Sequence, residues 1–320
     1  MQGVEFRTFA IAMPTLFRGI NRREGMLLKG EAGWAEFSPF LGYDDTACVP
    51  WLAGAIDSAD RPWPEPVRDL IPVNCTVPAV GPEHAADIVR RSGCTTAKVK
   101  VADRGQVLAD DLLRVEAVRD AIGPSGRVRI DANGAWSVDD ARIAISTLDA
   151  VGNLEYVEQP CATVEELAQL RLVVDVPIAA DESVRNVDDP LRVAQLEAAD
   201  IAVLKVQPLG GVHACLEIAE KIGLPVVVSG AVETSVGLAA GLALAAALPE
   251  LPYACGLGTT SLLDGDVVTS PLVPVDGHLP AGRVDVDEKA FDAVAADDDT
   301  DSRWQARLAS VRAAGERAGR

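Results

Sequence analysis

Five short segments carry the residues able to do chemistry: AKVKV (97–101), RIDANGAW (129–136), VEQP (157–160), AADES (179–183) and VLKVQPLGG (203–211). They supply Lys98 and Lys100, then Asp131, Glu158 and Asp181, and finally Lys205. The acidic residues fall 27 and then 23 positions apart, and Lys205 follows 24 positions after Asp181. A spacing of that length is one strand plus one helix, so these side chains recur at equivalent points of successive β/α units. Converging carboxylates need a cation to hold them together. Hard oxygens with no cysteine or histidine beside them favour Mg2+, with Mn2+ as a possible substitute, over zinc. Any one of the three could simply cap a helix; three in register point to a site. Asn133 and Glu182 stand where water-mediated or outer partners of such a site belong.

Lys98 and Lys100 are two apart on one strand, so with Val99 facing the helices both project into the barrel. Buried lysine without a partner is costly, which makes a purely structural role a poor explanation. A lysine works as a base only when unprotonated, and a nearby cation or second ammonium lowers its pKa. The combination therefore reads as metal-assisted proton abstraction, with Lys100 and Lys205 as the catalytic pair. Ser229-Gly230 and Gly256-Leu257-Gly258 end the last two strands, where glycines let backbone N–H groups approach a carboxylate closely. Simple loop geometry is the alternative for those glycines. His84, His213 and His278 read as surface residues, and Cys161 as a packed thiol beside Glu158-Gln159-Pro160.

Positioning these groups requires a regular scaffold. Strands are predicted at 73–77, 97–101, 128–131, 156–158, 178–181, 201–206, 226–229 and 253–255. Helices alternate with them at 82–92, 107–122, 138–148, 164–173, 190–197, 213–222 and 236–248. The fold class is α/β: a modified (β/α)8, TIM-like barrel of (β/α)7β type, with an N-terminal α+β capping domain. An open doubly wound sheet would gather its functional residues at one switch point instead. The expected domains are 1–70 for the cap, 71–283 for the barrel, and 284–320 for a C-terminal segment packing back on the cap. In the cap, strands are expected at 4–12, 25–29 and 34–37, then a helix or helical pair at 45–58 and a linker at Pro62, Pro64 and Pro66. Around 304–317 a further helix is expected, after a solvated acidic run at Asp297-Asp298-Asp299-Thr300-Asp301.

With 48% apolar and 24% charged residues, the 320-residue chain can bury a large core. A formal charge of −19 argues against nucleic-acid or anionic-membrane partners. Six dispersed cysteines without a C-x-x-C pair suit a reducing compartment, so a soluble cytoplasmic protein is expected. The apolar stretch 236–248 is too short to span a bilayer, and no signal-like N-terminus is legible.

K-x-K, D-x-N, E-Q-P, D-E-S and a final Lys, on successive strands, resemble the muconate-lactonizing subgroup of the enolase superfamily. The likeness runs from Trp34 in G-W-A-E-F to Gly258. Lys205 departs from the mandelate-racemase branch, which uses a His–Asp pair there. Within the subgroup the chain is similar to the o-succinylbenzoate synthase family, through its short cap, R-I-D-A-N and S-G-A-V-E-T-S-V-G (229–237). That resemblance implies a Mg2+-dependent lyase of menaquinone biosynthesis acting on a small-molecule carboxylate, as a monomer or small homo-oligomer. The implied reaction is syn-dehydration of 2-succinyl-6-hydroxy-2,4-cyclohexadiene-1-carboxylate to 2-succinylbenzoate through a metal-stabilised enediolate. It also implies roles: Lys100 as base, Lys205 as a persistent cation, Asp131, Glu158 and Asp181 as metal ligands. N-acylamino acid racemases, dipeptide epimerases and muconate cycloisomerases share the same motifs and remain alternatives. A non-enzymatic remnant would have lost a ligand position, and none is missing. Substrate specificity is expected in capping loops at 13–22 and 39–45.

Overall fold

The computed structural model describes residues 5–17, 19–185 and 189–319. β1 (Phe6–Phe17), β2 (Ile20–Lys29) and β3 (Trp34–Phe37) form an antiparallel sheet in that order. Of residues 13–22, expected as a loop, Met13–Phe17 end β1 and Ile20–Arg22 begin β2, with Phe17 aligned with Ile20 after a register shift; Arg18 lies outside the described residues. Polar residues at Asn21, Arg22, Arg23 and Glu24 hid the strand, because β2 uses Arg23 and Glu24 in buried hydrogen bonds rather than as solvent charges. α1 (Asp45–Asp60) is one helix rather than a pair, capped by Asp44, whose side chain accepts from the Ala47 N–H. Its buried Trp51, Leu52 and Ala55 pack with Met26, Leu28 and Phe37.

The barrel begins at β4 (Leu70–Val77), followed by α2 (Pro82–Ser92), β5 (Thr96–Lys100), α3 (Leu108–Ile122), β6 (Arg127–Asp131) and α4 (Val138–Gly152). It continues with β7 (Leu154–Glu158), α5 (Val164–Arg171), β8 (Ile178–Ala180), α6 (Glu182–Arg185), α7 (Arg192–Gln195) and β9 (Ile201–Leu204). α8 (Val212–Ile222), β10 (Val226–Val228), α9 (Ser235–Ala247) and β11 (Cys255–Gly258) complete it. Among the described residues eight strands run parallel in the order β10-β9-β8-β7-β6-β5-β4-β11. A single bridge between Ser229 and Gly256 joins the two ends, where the Gly230 N–H donates to the Gly256 carbonyl at 3.0 Å. The barrel is thus nearly closed, with the expected α/β architecture.

Other differences from the sequence reading have local physical reasons. The last strand lies at 255–258, not 253–255, because its glycines lower the apparent strand signal. They are there for clearance: a Cβ on Gly258 would stand 2.6 Å from the Asn74 carbonyl of β4. The helix expected at 190–197 is only the short α7, preceded by a separate turn, α6; Asn186, Val187 and Asp188 lie outside the described residues. The acidic run at 297–301 is solvated at Asp297, Asp298 and Asp299, as expected, but it opens a helix instead of preceding one. Asp297 caps α11 (Asp298–Arg317) by accepting from the Thr300 N–H at 2.8 Å. Before it come β12 (His278–Pro280), which pairs antiparallel with β4, and α10 (Glu288–Val294). Trp304, Leu308 and Val311 of α11 join the cluster under α1.

α9 is buried almost all round, so its apolar sequence belongs to packing. Among the described residues no helix is long and apolar enough to cross a membrane.

Candidate active site

Register places the charged groups. In the parallel pairing Lys100 lies opposite Asp131, and Asp131 opposite Glu158, so three neighbouring strands end in one row. Lys98 and Arg129 form the row beneath. Asp181 and Lys205 are the first residues after β8 and β9. All of these side chains are buried or nearly so.

The carboxylates are held by cations. Lys98 donates to both Glu158 oxygens at 2.8 Å and lies 3.5 Å from Asp131 Oδ2. Lys100 pairs with Asp131 and donates to Asn133 Oδ1 at 2.7 Å. Lys205 donates to Asp181 Oδ2 at 2.6 Å. The other Asp181 oxygen accepts from Arg185 Nε at 2.8 Å. Arg185 also donates to Glu182 at 2.6 Å and to the Tyr43 hydroxyl at 2.8 Å, tying the cap to the barrel rim.

These contacts set the protonation states. Burial alone would lower the Lys98 pKa, yet Glu158 and Asp131 outweigh it and hold the ammonium above its ordinary range. Burial pushes Asp131 and Asp181 up. The Lys100 and Lys98 charges more than reverse this for Asp131, and Arg185 and Lys205 do so for Asp181, so both remain carboxylates. Glu158 goes the other way, to about 7, through burial and the negative charge of Asp131, against Lys98. Three carboxylates are therefore close enough to repel, which is the electrostatic setting a divalent cation relieves. Among the described residues no three carboxylates are already gathered around one point as a metal cluster. Their charge and hard oxygen donors still fit such an ion, which must compete with the lysines.

A cleft of about 350 Å³ opens over this arrangement, lined by Lys98, Lys100, Asp131, Lys205, Ser229, Gly230 and Gly256. Glu158 and Asp181 do not line it; each is covered by the lysine bound to it. Gly258 is absent from the wall, and its glycine serves the β4 contact described above. The Gly230 N–H is already spent on Gly256, so it is not a free donor for a ligand. Asn133 and Glu182 are joined by a 3.2 Å hydrogen bond, forming a polar chain from Lys100 to Arg185. Cys161 is fully buried away from the cleft, and burial pushes its thiol up to about 11. His213 meets Asp57 at 3.0 Å, distant from this chemistry.

Sequence reasoning missed several participants. Arg185 follows Asp181 by four residues, one helical turn, and that spacing was its signal. The Gln159 carboxamide accepts from the Asp181 and Ser183 N–H groups at 3.0 and 3.1 Å, fixing the loop that carries Asp181. Thr76 lines the cleft, and its period-two pairing with Asn74 in an apolar strand was legible. Phe17 and Phe40 bring aromatic walls from the cap, Phe17 lying 5.4 Å from the Lys100 ammonium.

The cap is fastened over the cleft by Arg23. Its guanidinium donates to the Val232 carbonyl at 2.9 Å and to the Ser38 hydroxyl at 2.8 Å, and stacks 4.7 Å from the Phe40 ring. Val232 is β-branched at φ 62°, a strained conformation that such contacts must hold in place. Arg23→Ala leaves buried acceptors and acids uncompensated and should lower the unfolding free energy by about 3–5 kcal/mol in urea titration.

Beside it, Glu36 accepts from the Thr234 N–H at 3.0 Å, and burial together with Glu233 pushes its carboxyl up to about 7, against the charge of Arg23. Unfolded, this carboxyl releases its proton near 4.5. Between those values the native state binds the extra proton, so this contribution is fully present below 4.5 and is lost as pH rises through 7. Glu36→Gln removes that slope. Between pH 5 and 8 the unmodified chain should lose about 2–3 kcal/mol more stability than the variant; equal losses would contradict the assignment.

A family model described as enolase C-terminal domain-like matches residues 82–285, and one described as enolase N-terminal domain-like matches residues 8–59. The o-succinylbenzoate synthase of Thermobifida fusca is 65% identical over 97% of this chain and 96% of its own length. The o-succinylbenzoate synthase of Mycolicibacterium smegmatis is 52% identical over 95% of this chain and 94% of its own. Among solved structures, a dipeptide epimerase from Enterococcus faecalis, complexed with Mg and L-Leu-L-Tyr, superposes with a TM-score of 0.74 at 24% identity. That match covers 88% of this chain and 97% of the epimerase, a likeness of fold.

Proposed function

The chain belongs to the o-succinylbenzoate synthase family of the enolase superfamily and is a lyase; on that premise we propose that it carries out the Mg2+-dependent step of menaquinone biosynthesis that converts 2-succinyl-6-hydroxy-2,4-cyclohexadiene-1-carboxylate to 2-succinylbenzoate. The observation that carries the reading is a pair of lysines at one cleft, each paired with a different member of a three-carboxylate set. Asp131, Glu158 and Asp181 would hold the Mg2+, with Mn2+ as a substitute. Such an ion supplies fixed positive charge for a substrate carboxylate whose adjacent carbon is losing a proton.

The chain's own residues do the rest. Lys100 gives up part of its ion pair when Asp131 is engaged, and a less stabilised ammonium is a better source of free amine. Its amine removes the proton from C1, α to the ring carboxylate. Lys205, paired with Asp181, keeps its charge and stabilises the electrons left on the carboxylate and ring. Lys100 then returns its proton to the departing C6 hydroxyl on the same face. The C1–H and C6–O bonds break, a C1=C6 bond forms, water leaves and the ring is aromatic. Phe17 and Phe40 shield this step from solvent.

Aromatisation changes the ultraviolet spectrum, so purified protein with the cyclohexadiene substrate and Mg2+ should show a progress curve. Chelation should stop it and added Mg2+ restore it. Efficient racemisation of N-succinyl amino acids with no aromatic product would sink this reading in favour of the racemase branch.

A further inference from the structure

The lysines and carboxylates paired at the site stand on the arc from β5 to β9, and one further buried carboxylate, Glu233, follows β10, where it accepts from the Ala231 N–H. The remaining arc, formed by β10, β11 and β4, presents Ser229, Gly230, Gly256, Thr259 and Thr76 to the same cleft and no charged side chain among its described lining residues. On that arc, two adjacent threonines behave differently. Thr260 is buried and its hydroxyl donates to the Leu272 carbonyl at 2.6 Å. Thr259 is equally buried, with 5% of its surface exposed. Its hydroxyl has no hydrogen-bond partner among the described residues. It lines the cleft beside Gly230, where a Cβ would lie 3.6 Å from it and 2.7 Å from Glu233 Oε2. An unpaired hydroxyl at a buried position is unfavourable unless something arrives to bond it.

We propose that Thr259 is a specificity-determining residue whose hydroxyl donates to an oxygen of the substrate's succinyl arm. This rests on the dehydration reading above. With C1 at Lys100 and the ring carboxylate toward the cation that Asp131 would help to hold, the arm is the part of the substrate left to meet this arc. A donor without charge suits it: the hydroxyl selects for an acceptor there without competing for the ring carboxylate. Gly230 adds no side chain beside Thr259, and the Glu233 carboxylate bounds that side of the cleft.

The test uses Thr259→Val, which keeps the shape and removes the hydroxyl, and Thr259→Ser, which keeps the hydroxyl. Because the hydroxyl is unpaired in the free protein, Thr259→Val should melt at the same temperature as the unmodified chain or higher. Its KM for the cyclohexadiene should rise about 10-fold or more, with kcat changing less, and its affinity for 2-succinylbenzoate should fall by the same factor. Affinity for benzoate, which lacks the arm, should not change between the two, and Thr259→Ser should stay within about threefold of the unmodified chain. A lowered melting temperature in Thr259→Val would show that the hydroxyl is used internally and overturn the proposal. So would equal KM values, or equal losses for benzoate and 2-succinylbenzoate. If the unmodified protein forms no aromatic product, the dehydration reading itself has failed; if it does and the valine variant matches it, only the role of Thr259 has.

Discussion

Lys100→Ala is expected to reduce the proposed dehydration by at least about 10²–10⁴-fold, the loss that follows when a general base is removed. The argument is one of stereochemistry and position. In a syn elimination proton and hydroxyl leave from one face, so a single residue accepts the first proton and delivers it to the leaving group. A racemase needs a base on each face. Lys100 lines the cleft, pairs with Asp131 and donates to Asn133. Lys205→Arg keeps the positive charge while ending any base function, so it separates the two roles. Dehydration should slow in this variant because arginine is larger and forks differently. Loss of Lys100-dependent proton removal in Lys205→Arg would instead assign Lys205 to the chemistry itself.

Asp131→Asn, Glu158→Gln and Asp181→Asn should each bring turnover close to zero, with Mg2+ affinity reduced at least about 10-fold as in metal sites that lose a ligand or its support. The ion pairs make the stability outcomes unequal. Glu158→Gln removes the carboxylate that accepts both hydrogen bonds of the buried Lys98 ammonium, which then keeps Asp131, 3.5 Å away, as its negative partner. Breaking a buried pair costs up to about 3–5 kcal/mol, so this variant should be the least stable of the three in urea. Asp131→Asn leaves Lys100 its Asn133 partner, and Lys100 is the more exposed of the two β5 lysines. Calorimetric titration showing unchanged Mg2+ affinity in all three variants would remove the metal assignment.

The barrel and the row of charged groups were legible because a period of one strand plus one helix set them at near-equal spacing. Lys98 and Lys100 stood out because they interrupt apolar residues at the two-residue period of a strand. What the sequence concealed was pairing. Arg185 lies outside every expected helix, and the one-turn spacing from Asp181 gains meaning only when its side chain is seen on that carboxylate. Arg23 and Glu24 fall between the expected loop and the expected strand, and only β2 shows them buried. Gly230 and Gly258 read as ligand-binding glycines, yet one N–H is spent on closing the barrel and the other glycine makes room for β4. Thr259 carried no signal at all, since an unbonded hydroxyl is a property of three-dimensional surroundings. Spacing along a chain reports which strand end a group occupies; it does not report which partner claims it.

Exchange of the α-proton in D2O tests the single-base account most directly, using a cyclohexadiene carboxylate that lacks the 6-hydroxyl and so cannot lose water. Deuterium incorporation at C1, followed by NMR, isolates proton abstraction from the elimination that follows. Incorporation is expected with the unmodified protein and, more slowly, with Lys205→Arg, and none with Lys100→Ala. Incorporation that persists in Lys100→Ala and disappears in Lys205→Arg would contradict the account and place the base on the opposite side of the cleft.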